Sequence, residues 1–199
     1  MATTITIFKR FERLWHWLQA LLILLLLATG LELHGLFSLF GFNTAVQLHD
    51  WAGFIWLALL VLVFSWIATT GEWRQYKPSF DGVPATLKYY AYGVFKGQPH
   101  PHHMTVANKF NPLQRLGYIA ILFVMLPVQI FTGLMFFFFP ELRAAGWLQQ
   151  IDWIAIIHTL NAYALLSFLV IHLYMITFGA TLGAHLKAMV TGKEQIDSK

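Results

Sequence analysis

Four apolar runs, at about 13–33, 50–70, 113–138 and 154–182, decide what this chain can fold into. Each is long enough to cross a hydrocarbon core of about 30 Å as a helix. Inside their ends there is no Asp, Glu, Lys or Arg except Glu32, Asp50 and Arg115 at the margins. Backbone in lipid must satisfy its own hydrogen bonds, which leaves helices as the way for such runs to span. Composition agrees: 11% of residues are charged, where a soluble domain carries about 25%. The expectation is an all-α membrane protein, a four-helix transmembrane bundle in contact with lipid, with residues 1–199 forming one domain.

Punctuation supports the spans. Gly71 closes the second and Pro140 the third. Trp15, Trp17, Trp51, Trp73, Trp147 and Trp153 fall near span ends, where an interfacial aromatic belt belongs. The basic start followed by Leu21 to Leu27 has the look of a signal peptide, but the run is long, carries Trp15, His16 and Trp17, and lacks a small-residue cleavage site, so it reads as a retained first span. Two connections, about 34–49 and 139–153, are short. The third, about 71–112, is extended, and its stretch Ala85 to Lys96 has the pattern of a short amphipathic surface helix.

The net charge of +4 is not a nucleic-acid signal, because of where the charges lie. Of the 13 Lys and Arg residues, all but Arg143 fall before the first span, in or beside the central loop, or after the fourth span. The positive-inside rule then puts both termini and the central loop in the cytoplasm. The absence of cysteine excludes thiolate-held iron–sulfur clusters, covalent c-type haem and disulfides within the chain.

Histidine carries the chemistry. His158 and His172 lie fourteen residues apart in the fourth run. At about 100° and 1.5 Å per residue they share a helix face and stand about 21 Å apart along the axis. Imidazole is costly at membrane depth and is usually there for function. With the N-terminus inside, His16 falls near the inner end of the first span and His49 beside the outer end of the second, so each depth receives two imidazoles from two helices. His16 with His172, and His49 with His158, are therefore the expected iron ligands of an inner and an outer b-type haem. Haem propionates want cationic partners, and Arg10, Arg13 and Arg115 are candidates inside, Arg143 outside. His34 and His185 read as interfacial residues. His100, His102 and His103 form a loop cluster that reads as solvated, with a zinc or nickel site as the other reading. Met125, Met135 and Phe136 to Phe139 read as packing and lipid contact.

These residues resemble a known family. FERLWHW, LHDWAG, KFNPLQRLGY, HTLNAYALLSFLVIHLYMITFG and HLKAMVTGKE, spread over nearly the whole chain, are similar to the b-type cytochrome subunits that anchor formate dehydrogenases, nickel–iron hydrogenases and thiosulfate reductases in bacterial membranes. The resemblance implies a bundle holding two stacked b haems in the inner membrane, with the same helices supplying the ligands. It also implies electron exchange with a quinone (menaquinone or ubiquinone) beside the cytoplasmic-side haem. The asparagine that lines that pocket falls on Asn111, and Gln114, one turn on, is added from its position. A redox partner is expected outside: an iron–sulfur or catalytic subunit, or a periplasmic multihaem cytochrome. Whether the chain by itself counts as an enzyme stays open, since its only chemistry would be quinone oxidation or reduction. Two rivals belong to other classes. A metal-ion transporter would want midplane carboxylates and repeated halves, and a haem-free anchor would leave four intramembrane imidazoles unexplained.

Overall fold

The computed structural model describes residues 2–102, 105–147, 151–178, 181 and 183–197. Four helices are long and apolar enough to span: α1 (Arg10–Leu33), α2 (Phe42–Thr70), a third running over Pro112–Phe137, and α7 (Ile151–Met175). The third consists of α4 (Pro112–Ala120), a π-helical turn at Ile121–Met125, and α5 (Leu126–Phe137). Pro127 has no N–H and crowds the carbonyl four residues back, and a wider turn just ahead of it relieves that conflict. Large apolar side chains such as Leu21, Val61, Phe123 and Val170 face outward, the surface that hydrocarbon covers.

Two span boundaries differ from the sequence reading. The second helix starts at Phe42 rather than near 50, so His49 sits two turns inside it. The fourth ends at Met175 rather than near 182. As expected, α2 stops at Gly71, whose φ of 74° is a left-handed conformation open to glycine. Pro140 lies at the start of the short α6 (Phe139–Ala144), directly after the third span.

The chain divides into two compact units. The first comprises 1–14, 67–122 and 168–199. It contains an element that an all-α reading leaves out: β1 (Ala2–Thr6) pairs antiparallel with β2 (Lys193–Asp197), Thr6 opposite Lys193. The segments 2–6 and 193–197 therefore meet within this unit. The pairing continues where Ile7 and Phe8 donate their N–H groups to the Gly192 carbonyl, at 2.8 and 3.2 Å. Gly192 has φ 83°, and a Cβ there would fall 2.7 Å from the Phe8 oxygen, so only glycine fits. The central loop is largely helical, with a 3₁₀ turn at Glu72–Tyr76, α3 (Val83–Lys88) and further helical turns to Lys96. Thr86, Tyr90 and Gly93 form its inward face, while Leu87, Tyr92 and Phe95 are exposed, in keeping with the amphipathic pattern. The short α8 (Ala184–Thr191) precedes β2.

A buried lysine organises this unit. Lys109, 2% exposed, donates to Glu12 at 2.7 Å and to Glu72 at 3.1 Å, and Lys9 donates to Glu72 at 2.6 Å. Burial alone would raise the Glu72 carboxyl, but the hydrogen bonds from Lys9 and Lys109 outweigh it and hold the group below the usual carboxylate range.

The second unit comprises 15–66 and 123–167. On α2 the buried residues Ala45, Ala52, Trp56, Leu60 and Val63 fall at helical spacing on one face, and His49 belongs to the same stripe. The connection before α2 is held by Glu32, 6% exposed, whose carboxylate accepts from the backbone N–H groups of Leu39, Phe40 and Gly41 at 2.8–3.1 Å.

Candidate functional site

In the second unit, α2 and α7 bring His49 and His158 together, with ring centres 6.4 Å apart and planes inclined at 68°. A metal–nitrogen bond of about 2.0 Å on each side, plus about 1.1 Å from nitrogen to ring centre, sets two imidazoles on one metal about 6.2 Å apart. The observed separation fits a shared iron.

Each ring is seated on a Thr-Gly pair of a neighbouring helix. His49 Nδ1 lies 2.9 Å from Thr29 Oγ1 on α1, and His158 Nδ1 lies 2.8 Å from Thr132 Oγ1 on α5. Both threonines are buried, at 0% and 4% exposure. The adjoining glycines give the rings room: a Cβ at Gly30 would lie 3.5 Å from His49 Cε1, and one at Gly133 would lie 3.4 Å from His158 Cε1. On the other side of the His158 ring, the Gln129 amide nitrogen sits 3.0 Å from Nε2. Asn161 Nδ2 donates to Gln129 Oε1 at 2.7 Å and to the Met125 carbonyl at 2.9 Å. The sequence reading missed Thr29, Thr132, Gln129 and Asn161. One signal was available: Thr-Gly-Leu occurs at 29–31 and again at 132–134.

His16 lies on α1 and meets Trp17 edge-on at 5.3 Å. Near it in sequence, the Trp15 indole N–H and the Gln19 amide oxygen are buried without a hydrogen-bond partner among the described residues, as is Trp56 Nε1. Polar atoms left this way at membrane depth fit a further group there. His172, in the first unit, stacks on Phe168 at 6.1 Å with planes 16° apart, and a Cβ on Gly117 would lie 3.6 Å from the Phe168 ring.

The expected quinone residues have a structural task as well. Asn111, 3% exposed, caps α4: its Oδ1 accepts from the Gln114 N–H at 2.9 Å, and Gln114 Oε1 accepts from the Asn111 N–H at 2.9 Å. Asn111 Nδ2 donates to the Tyr90 hydroxyl at 3.3 Å, and its second amide hydrogen has no acceptor among the described residues. Burial pushes the Tyr90 phenol up to about 12. A cavity of about 310 Å³ lies beside this segment among Asp81, Thr86, His102, Phe110, Pro112 and Arg115.

The arginines are dispersed. Arg10 and Arg143 are exposed. Arg13 donates to the Val190 carbonyl and keeps a buried Nε without a partner among the described residues. Arg115 is engaged with the Phe110 carbonyl and with Asn108. In the loop cluster, His103 lies outside the described residues. His100 Nε2 is 3.1 Å from the Tyr90 hydroxyl, and its Nδ1 lies against the His102 backbone. Among the described residues no group of three or more His, Cys, Asp or Glu side chains could hold a metal ion.

Over residues 7–192 the chain matches the model of one protein family, prokaryotic cytochrome b561. The chain belongs to that family. It is a membrane b-type cytochrome with four spans, it binds haem b, and its work is electron transfer. It is also 34% identical over 203 residues to a curated cytochrome, YdhU of Escherichia coli (strain K12), a match covering 94% of this chain and 74% of that protein. No solved structure matches it. The resemblance read from the residues thus holds at the level of a b-type cytochrome family.

Proposed function

We propose that this cytochrome relays electrons across the inner membrane between quinone and a redox partner, through two haems each held by a histidine pair. His49 and His158 hold the outer one. By the order of the spans and the fourteen-residue step from His158, His16 and His172 hold the inner one. The observation that carries the proposal is the 6.4 Å separation of two imidazoles on separate helices, each seated on its own threonine. A haem held by a histidine pair of this chain would supply electron transfer without exchange of its protein ligands, which suits relay over oxygen chemistry.

The distribution of positive charges supports termini and a central loop in the cytoplasm, with the end bearing His172 facing inward. There the second amide hydrogen of Asn111 offers a donor to a quinone carbonyl, and the neighbouring cavity of about 310 Å³ is within the range of small-ligand pockets. Arg13, whose buried Nε has no partner among the described residues, is the first choice for an inner propionate, with Arg10 and Arg115 the other inner candidates. Arg143 is the outer choice. The outer connections are too short for a catalytic domain, so an iron–sulfur subunit, a catalytic subunit or a periplasmic multihaem cytochrome receives or delivers the electrons.

Pyridine haemochrome on the purified protein tests the relay. Two b haems per chain are expected, falling to one in His158→Ala and in His172→Ala; two surviving in either variant would break the pairing. Asn111→Ser separates the roles of that residue, because serine keeps the helix cap and loses the amide donor. Unchanged haem spectra with slower quinone turnover are expected. Equal turnover would remove Asn111 from quinone binding.

A further inference from the structure

We propose that Thr29 and Thr132 are positioning residues that fix the tautomer of the outer histidine pair, so that His49 and His158 both present Nε2 as the ligating nitrogen. This rests on the proposal that the two rings share an iron.

A hydroxyl carries one hydrogen. Thr132 Oγ1 is 2.7 Å from the Val128 carbonyl, and Thr29 Oγ1 is 2.8 Å from the Leu25 carbonyl, each four residues back on its own helix. A backbone carbonyl only accepts, so each hydroxyl hydrogen is committed there. The threonine oxygen then faces its histidine as an acceptor, and the Nδ1 at 2.9 or 2.8 Å must carry a hydrogen. A neutral imidazole with hydrogen on Nδ1 has its lone pair on Nε2. The β-branched threonine has few rotamers on a helix, which keeps the oxygen aimed at the ring.

At His158 a second chain of bonds gives the same answer from the opposite side. The Met125 carbonyl accepts, so the Asn161 atom beside it is the amide nitrogen. That nitrogen also donates to Gln129, so the Gln129 atom it meets is Oε1. The Gln129 group 3.0 Å from His158 Nε2 is then the amide nitrogen, a donor, and Nε2 carries the lone pair; iron would take that lone pair in place of the Gln129 amide. Two independent carbonyl anchors, Val128 and Met125, therefore specify one tautomer. Gly30 and Gly133, each following its threonine, lie against the ring edges, where an added Cβ would make ordinary contact at 3.5 and 3.4 Å.

The test uses the full protein, with haem transfer to apomyoglobin and a redox titration as readouts. Thr29→Val and Thr132→Val keep shape and lose the acceptor. Hydrogen-bond partners of this kind are typically worth about 10–100-fold in metal-site affinity. Faster loss of one haem on that scale is expected, with a higher midpoint potential for the outer haem that remains, because an imidazole that no longer donates from Nδ1 is a weaker electron donor to iron. Thr132→Ser should restore both values. Wild-type transfer and midpoints in both valine variants would overturn the proposal. Should a valine variant shed the inner haem as well, the same comparison is read from Thr29→Ala and Thr132→Ala, where wild-type values again overturn it. Failure of the underlying ligand assignment looks different, with both haems persisting in His49→Ala or His158→Ala.

Discussion

Glu32 offers a direct measure of how the connection before α2 is held. Its carboxylate accepts three backbone N–H groups, with Oε1 alone taking Leu39, Phe40 and Gly41 at 2.9, 2.9 and 2.8 Å. A hydrogen bond to a charged acceptor contributes about 1.5–3 kcal/mol against about 1 for a neutral one. Glu32→Gln keeps an oxygen in place and loses the charge, which removes roughly 2–3 kcal/mol gross over three bonds. The donors belong to exposed residues, so water offsets part of this and about 1–2 kcal/mol is expected. Glu32→Ala loses all three bonds, at about 3 kcal/mol after the same offset. With tenfold for each 1.4 kcal/mol, local opening rises about 5–30-fold in the Gln variant and on the order of 100-fold in the Ala variant. Hydrogen exchange in nanodiscs, followed by mass spectrometry, reads this in peptides covering 36–48, with peptides from the middle of α2 as the unchanged reference. Exchange at 39–41 within twofold of wild type in Glu32→Ala would refute the argument that the carboxylate holds this connection.

Three further outcomes are expected. Gly133→Ala should keep both haems, since its Cβ makes only ordinary contact with His158 at 3.4 Å, whereas Gly133→Leu should displace the ring and lose the outer haem alone; a pyridine haemochrome value of two for the leucine variant would sink this. Lys109→Met leaves Glu12 and Glu72 without their buried partner, a loss near the lower end of about 3–5 kcal/mol because both carboxylates retain some exposure and Lys9 remains. Faster proteolysis of the loop 71–112 should report it, and wild-type cleavage would count against a structural role. Glu72 sits below the ordinary carboxylate value, so its contribution is present above pH of about 4.5 and is lost as pH falls through its lower, folded value. Loop proteolysis should stay flat from pH 7 to about 5 and rise below about 4, and Glu72→Gln should remove that step.

The spans could be read from sequence where lipid alone determines them. Leu21–Leu27 or Ile55–Val63 has nothing to do in water and no other way to cross a membrane. The first two turns of α2 were invisible because Asn43, Thr44 and Gln47 carry no apolar pattern. That stretch is positioned by the remote Glu32, ten residues upstream of Phe42, and no local window contains that bond. The strands escaped notice for a similar reason, since ATTIT and KEQID are short and acquire meaning only as a pair. Among site residues, the histidines stood out because imidazole is rare and costly in lipid. Thr29 and Thr132 did not, because a threonine that bonds its own helix is unremarkable in an apolar run. Its second role depends on which ring lies opposite, and that is a property of packing. The motif KFNPLQ was legible as a signature, while its mechanics were not: Lys109 ties the loop to Glu12, Asn111 and Gln114 cap the helix, and Pro112 starts it.

During synthesis the segment Ala2–Thr6 emerges roughly 190 residues ahead of its partner, which at 5–20 residues per second is a wait of about 10–40 s. All four spans are translated in that interval, so the first strand meets Lys193–Asp197 only after insertion is largely complete. The pairing is thus a contact that can form only after the four spans have been made. A deletion within 193–197 therefore leaves the synthesis of the spans untouched and Ala2–Thr6 without its paired strand.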